Sequence, residues 1–458
     1  MADYTSKFSR EQIDALLDKV GSGGGNTGGG DTPSRPAYTG HADIEGLKAI
    51  GWTDEDIEYY QQYGVNWNKE DDEYHKVTDD NKALYGVLTA DNISNYKDRI
   101  VYLPKIDTSG ITSMNSMFSN CHSLVSIPKL DTIKVTEMIS MFEFCYSLVS
   151  IPLLDTHNVT DMSEMFYSCN SLTSIPQLDT SKVVKMDSMF QDCGSLTSIP
   201  QLDTSNVMDM YGMLGGCKLL TTIPQLNTSR VTSMNSMFSN CRSLVSIPQL
   251  DTSNVTDMSF MFGYCYLLTS IPQLDTSNVT DMSSMFYFCF SLVSIPKLNT
   301  SNVMNMSSMF AGTYLTCISQ LDTSNVTNMS DMFSGCGTLV SIPKLDTSKA
   351  TSMSGMFDYC ASLVSVPQLD MSNDISWRGA FEGCSSLTTA NLKNLKRNYE
   401  LYESSLLSKE SLLYIINNEA ATSAITITLT TYAYQRLAED ADIVAALANH
   451  PNISLASA

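Results

Sequence analysis

The chain has 458 residues, a formal net charge of −22 and 43% apolar side chains. That is long for one ordinary globular core, but not for a fold that grows by repetition. Its acidity disfavours a phosphate-binding groove, and with it nucleic acid as a partner. No apolar run reaches the roughly 18 residues of a membrane-spanning helix, so no membrane span is expected.

The start, MADYTSKFSREQIDALL, has no basic-then-apolar signal peptide and no lipid-anchor cysteine. Residues 5 to 20 read as a short amphipathic helix, with Ser9 and Gln12 as a capping box and Ile13, Leu16, Leu17 and Val20 on one face beyond Phe8. A helix this short is marginal alone, so its apolar stripe needs a partner. Residues 21 to 40 open with GSGGGNTGGG and form a flexible linker. A sticky helix on a glycine tether resembles the N-terminal segments of fibre-like virion proteins from phages of gut Bacteroides-type bacteria. That resemblance implies attachment to virion or surface assembly proteins through Phe8, Ile13, Leu16, Leu17 and Val20 of residues 1 to 20.

Residues 41 to 99 are expected to form a small helical module ahead of the repeats. Asp43 to Ile50 and Thr53 to Tyr63 read as helices, the second capped by Thr53, while Trp52 and Trp67 would anchor a small core. Ile100 to Ile106 already carries half a repeat and should seal the first coil.

From 100 to 395 one sentence repeats about twelve times. Cys121, Cys145, Cys169, Cys193, Cys217, Cys241, Cys265 and Cys289 follow at intervals of 24 residues, and Cys336, Cys360 and Cys384 resume the interval after one irregular coil. A fixed period in this range predicts a solenoid, each coil burying its apolar side only against its neighbours. In Leu274 to Lys297 and on to Leu298, the residues Leu292, Ile295 and Leu298 suggest a short strand ending at Pro296, followed by an Asp-Thr-Ser-Asn turn. Val279 opens a second short strand. Met282, Met285, Phe286 and Cys289 then stand at i, i+3, i+4 and i+7, the spacing of a short helix. The fold class expected is a leucine-rich-repeat-like solenoid of short strands plus a short helix per coil, flanked by a small α-rich N-terminal module and a small α/β C-terminal module. Coils at about 4.8 Å give a rod or arc roughly 55–60 Å long.

The repetition also supplies a plain reading for residues that elsewhere look like sites. Eleven of the twelve cysteines share one column and read as reduced, buried small hydrophobes, although adjacent coils lie near enough for disulfides. With no CxxC and five scattered His, zinc is not expected. The Asp column, which includes Asp179, Asp203, Asp275 and Asp346, lacks the glycines of calcium-binding β-helices, and Asn227 and Asn299 replace Asp in it. Turn capping is therefore expected, with no metal and no cofactor. The Asn-x-Ser/Thr triplets at Asn158, Asn254, Asn278 and Asn325 come from the same turn. The coil AGTYLTCISQ is one residue short, places Thr313 in the Cys column and moves Cys317 to a Ser position, so a kink and an exposed thiol are expected there.

The unit FxxCxSLxSIPxLDTSNVTDMSxMF resembles the BspA-like leucine-rich repeats of bacterial surface proteins, in the subclass with the DTSNVTDMS-x-MF signature. That family is similar to solenoids that adhere to host or matrix molecules, and it brings no catalytic residues. Where the repeat is broken, partners can be recognised. Phe260, Tyr264, Tyr266, Tyr287, Phe288, Phe290 and Tyr314 fall on three successive coils and should merge into one outward aromatic patch. Such a patch suits host glycans, host proteins or a contact within an assembly, a homo-oligomer included.

After Asn391 the period stops, and residues 396 to 458 read as a small αβαβ domain: a helix from Ser408, a strand from Ile425, a helix from Tyr432 to Asn449 and a last strand ISLAS. It resembles tail pieces seen after such repeats in Bacteroides-type phage or prophage proteins. The acids sit in one turn column or in the caps, without the converging carboxylates of a polysaccharide-cleaving enzyme. The function expected is non-enzymatic: a virion fibre or decoration protein displaying a host-binding solenoid, or alternatively a bacterial cell-surface adhesin.

Overall fold

The structure, a computed structural model, describes residues 66–68, 73–75, 90, 92–100, 103, 106–373, 376–401 and 404–458. The expected N-terminal helix of residues 1–20, the linker and the helices at 43–50 and 53–63 lie outside these. Within the module placed at 41–99, strands β1 (Asn66–Asn68) and β2 (Glu73–His75) pair antiparallel. A 3₁₀ helix at Ile93–Arg99 follows, and Ile93, Ile100, Leu103 and Ile106 are buried at the head of the repeats.

The coils stack in register. Eleven successive parallel bridges link one position per coil, from Ser113 through Glu137, Asp161 and onward to Ser376. The Met, Phe and Cys columns point inward together: Met282, Met285, Phe286 and Cys289 are each fully buried. The phenylalanines form a ladder of parallel rings, with Phe262, Phe286 and Phe310 spaced 5.8 Å between centroids. Leu214 interrupts it.

Their backbone is not a helix. Amides alternate between two destinations. Met285, Tyr287 and Cys289 donate three residues back, to Met282, Ser284 and Phe286, at 3.0 to 3.2 Å. Met282, Ser284, Phe286 and Phe288 donate instead to the next coil, to Asn305, Ser307, Met309 and Ala311, at 2.8 to 3.0 Å. Ser284 and Phe288 are left-handed, with φ of 55° and 54°. A helix sends every amide back along its own chain, whereas this path of successive tight turns shares its amides with the neighbouring coil. Two consecutive four-residue turns aim positions i, i+3, i+4 and i+7 inward just as two helical turns do. The expected short helix per coil is thus corrected, while the burial it implied is what the structure has.

Among the described residues the Leu-Ile-Pro-Gln-Leu arc forms regular strands only at the end of the stack, where β3 (Ser365–Asp370) pairs parallel with β4 (Thr389–Lys393). Proline has no N–H to give, and the neighbouring glutamine side chain bridges the coils: Gln249 Nε2 donates to the Gln273 carbonyl at 2.7 Å. Next to it a threonine column is buried. The Thr276 hydroxyl donates to the Asn299 carbonyl of the next coil and accepts that residue's N–H. Each aspartate caps its own turn: Asp179 Oδ1 accepts from the Ser181 N–H at 3.0 Å and its hydroxyl at 2.7 Å.

The short coil keeps its place in the stack. Asn305 and Asn328 still bridge, and the backbone bends at Thr316, immediately after the deletion. Thr313 is buried in the cysteine column and Cys317 is exposed.

At the C-terminal end β5 (Tyr399–Leu401), α1 (Lys409–Asn417), β6 (Ile425–Leu429), α2 (Thr431–Leu437), α3 (Ala441–Asn449) and β7 (Ile453–Ser457) follow in order. The strands make a parallel sheet ordered β5-β6-β7. Where one helix was expected from Tyr432 to Asn449 there are two, because Asp440 accepts from the Asp442 and Ile443 N–H groups and caps a new helix. Helix α1 packs on β4, and the Ser411 hydroxyl bonds both backbone groups of Ala390, joining this unit to the last coil.

Candidate binding surface

The seven aromatic residues named from the sequence meet. Tyr264 stacks on Phe288 of the next coil at 5.7 Å with rings 3° from parallel, and Tyr266 stacks on Phe290 at 5.2 Å. Phe290 continues to Tyr314 at 5.5 Å. Tyr287 stands edge-on to Tyr264 and Phe288, and Phe260 contacts both Tyr264 and Tyr287. Six of the rings are half-buried against one another, and Tyr314 is 55% exposed. Burial, and then the Tyr264 phenol, push the Tyr287 hydroxyl above its usual value, so the phenol stays protonated.

Three of these residues occupy costly backbone. Phe260, Tyr264 and Phe288 have φ of 57°, 61° and 54°, in columns where most other coils place Ser, Asn, Asp or Gly and the rest have Phe144, Glu164 and Tyr359. A bulky side chain in this region costs about 1–2 kcal/mol. Two glycines make room for the rings. A Cβ on Gly312 would lie 2.5 Å from the Phe288 ring, and one on Gly263 would lie 2.9 Å from Phe260. Sequence reasoning missed both glycines, and it missed Arg242, whose guanidinium lies over Tyr266 at 5.4 Å from the ring centroid. Their signal was available, since all three are neighbours of the patch in the coil grid.

A second, smaller cluster joins His122, Phe144, Tyr146 and Tyr167, with His122 and Tyr146 stacked at 4.9 Å. On the Gln-Leu-Asp-Thr side the coils line a continuous groove of about 2890 Å³, running from Lys129 to Lys393. Its polar groups already serve the scaffold: the glutamine amides bridge coils, and the Asp oxygens hold their turns. Ser181 hydrogen bonds hold Asp179 below the usual carboxylate range; at Asp370 burial raises the value, but bonds from Asn394, Lys393 and Ser372 outweigh it and bring it to about 2. Among the described residues no group of three or more His, Cys, Asp or Glu is placed to hold a metal ion, and no helix is long and apolar enough to cross a membrane. The attachment residues Phe8, Ile13, Leu16, Leu17 and Val20 lie outside the described residues.

A family model described as "Mycoplasma protein of unknown function, DUF285" matches residues 89–199, 146–244, 195–294 and 289–395, two-thirds of the chain. The chain belongs to the DUF285 family. The aromatic patch of this DUF285 chain lies within the matched residues. The chain is also similar to solved leucine-rich-repeat structures. One is the T. pallidum leucine rich repeat protein, at 20% identity over 45% of this chain and 88% of that one, with a TM-score of 0.30. A leucine rich cell surface protein from Faecalibacterium prausnitzii has 22% identity over 59% and 82%, with a TM-score of 0.32. A leucine-rich repeat protein from Eubacterium ventriosum has 18% identity over 66% and 82%, with a TM-score of 0.34. No curated protein matches the chain.

Proposed function

We propose that this DUF285 chain is a non-enzymatic adhesion protein, displayed on a bacterial cell surface, whose solenoid binds a host protein through the seven-ring cluster. One observation carries the reading: Phe260, Tyr264 and Phe288 hold aromatic side chains at left-handed positions, and their rings meet in one cluster across successive coils. Strain of this kind is retained when it serves something other than the fold. In the stacked columns the ring faces turn toward one another, and the tyrosines add polar hydroxyls to an apolar cluster, which suits the mixed contacts of a protein interface. Surface display is compatible with the cysteine chemistry, because the eleven column thiols are sealed from oxidants by burial.

A host glycan is the second partner reading, favoured by the exposed Tyr314 ring. A virion fibre is the second setting, favoured by the tethered apolar stripe of residues 1 to 20.

The test is binding of the purified chain to immobilised extracellular-matrix proteins and, in parallel, to a glycan array. The Tyr266→Ala/Phe290→Ala variant should lose at least about tenfold in protein binding while its melting curve hardly moves. A steep loss of stability would make the rings core, and binding confined to the array would favour the glycan. Mass spectrometry of cell envelopes and of purified virions decides the setting. Deleting residues 1 to 20 should leave a folded solenoid that no longer joins its assembly.

A further inference from the structure

The column of rings that runs along the cluster has two unlike ends. At one end the Arg242 guanidinium covers Tyr266, steadied by its Nε–H donating to Asn240 Oδ1 at 2.8 Å. Tyr266, Phe290 and Tyr314 follow, coil by coil. The next position in this column is Gly337, and a Cβ built there would meet no heavy atom within 4 Å. The neighbouring column is empty at the same coil: Phe288 covers Gly312, but the following Gly335 has only the Gly312 backbone near it, at 3.6 Å. Beyond it Tyr359 leans away onto Gly383, 2.9 Å from where a Cβ would be. A gap floored by Gly335 and Gly337 therefore separates Tyr314 from Tyr359, whose rings are 55% and 61% exposed.

We infer that this gap seats an arginine side chain of the partner protein, its guanidinium stacked on the open face of Tyr314. A stacked column offers a π face only at its ends, because each inner ring is covered by its neighbours. Arg242 demonstrates that this column accepts a guanidinium cap, and a partner arginine would repeat that contact at the opposite end. A planar cation fits a slot one coil wide, and guanidinium stacks on aromatic faces better than ammonium does. The chain's net charge of −22 attracts a cationic partner, and the glycine coil itself carries Asp331. This inference rests on the cluster being a binding surface.

It is tested on the full chain by ligand-observed NMR titration with three probes: N-acetyl-arginine amide, N-acetyl-lysine amide and methyl β-glucoside. The arginine amide should bind saturably, the lysine amide about threefold more weakly, and the glucoside not at all. Tyr314→Ala removes the stacking face. Gly337→Phe fills the gap by extending the column, in a position with space for the ring. Either change should weaken arginine binding at least about fivefold, with the melting temperature unchanged as the control for folding. Arginine binding that is absent, or that survives both substitutions, overturns the proposal, and so does preferential binding of the glucoside. If Tyr266→Ala/Phe290→Ala abolishes protein binding while Tyr314→Ala and Gly337→Phe do not, the cluster stands and the arginine seat falls. If none of the four substitutions matters, both fall.

Discussion

The Thr276 hydroxyl holds Asn299 of the next coil by both of its backbone groups, donating to the carbonyl at 2.8 Å and accepting the N–H at 2.8 Å. Thr132 does the same for Asp155, Thr300 for Asp322 and Thr347 for Asp370. The hydroxyl supplies the donor and acceptor that a neighbouring strand would otherwise provide, at a point where the chain turns too sharply for a ladder. The column is buried, so each bond is made away from water.

Thr276→Val keeps the shape and removes both bonds, leaving the Asn299 N–H and carbonyl without that partner. A loss of about 1–3 kcal/mol is expected, read from the urea midpoint at unchanged slope. Thr276→Ser retains the hydroxyl and should recover most of it. Equal midpoints for the valine variant and the parent would show that the hydroxyl bond is dispensable.

Tyr359 gives the converse case. It has φ of 54° and is largely exposed, so its ring contributes little burial in return for a strained backbone. Asparagine tolerates the left-handed region, and Tyr359→Asn should raise stability by about 1 kcal/mol. A thermal melt checks this. A lower melting temperature would mean that the contact between the Tyr359 ring and Gly383 outweighs the strain.

Much of this was legible because repetition turns spacing into adjacency. Residues 24 apart had to be neighbours, which is why Tyr264 and Phe288, or Tyr266 and Phe290, could be placed together from the sequence. The inward columns were legible for the same reason. The backbone carrying them was not: Met282, Met285, Phe286 and Cys289 are spaced alike in a helix and in paired tight turns, and the left-handed Ser284 that distinguishes the two looks ordinary as a serine. The threonine column read as turn residues because a buried hydroxyl and a solvated one are spelled alike. The break between α2 and α3 was hidden in an apolar pattern that runs across it, and Asp440 was its only mark. The gap beside Tyr314 depends on what Gly335 and Gly337 lack, which no list of conspicuous side chains reveals.

The thiols give a sharp chemical prediction. Cys317 is exposed, while the other eleven are buried. Cys289 donates through Sγ to the Phe262 carbonyl at 3.1 Å, and burial pushes its thiol up to about 12. The thiolate is the reactive form, so a disulfide-exchange reagent at pH 8 should titrate one thiol in the native chain and twelve in denaturant. Cys317→Ser should abolish the native reaction. Several fast thiols without denaturant would mean that the coils open on that timescale.

Acid should dismantle the turns. Backbone and side-chain hydrogen bonds from Ser277 lower Asp275, bonds from Ser205 and Ser253 lower Asp203 and Asp251, and Asp370 lies at about 2. A carboxyl depressed in the folded state favours folding above its unfolded value, near 3.8 here. That contribution shrinks as pH falls through the folded values, since protonation removes the acceptor that the serines hold. The melting temperature should therefore be flat from pH 7 to about 5 and drop steeply between about pH 4 and 2. Asp275→Asn keeps the accepting oxygen, as Asn299 does for Ser301 at the equivalent position of the next coil. It should lessen the acid sensitivity while leaving neutral stability nearly unchanged. If Asp275→Asn melts along the parent's curve at every pH, protonation of this turn carboxylate does not contribute to the acid limit.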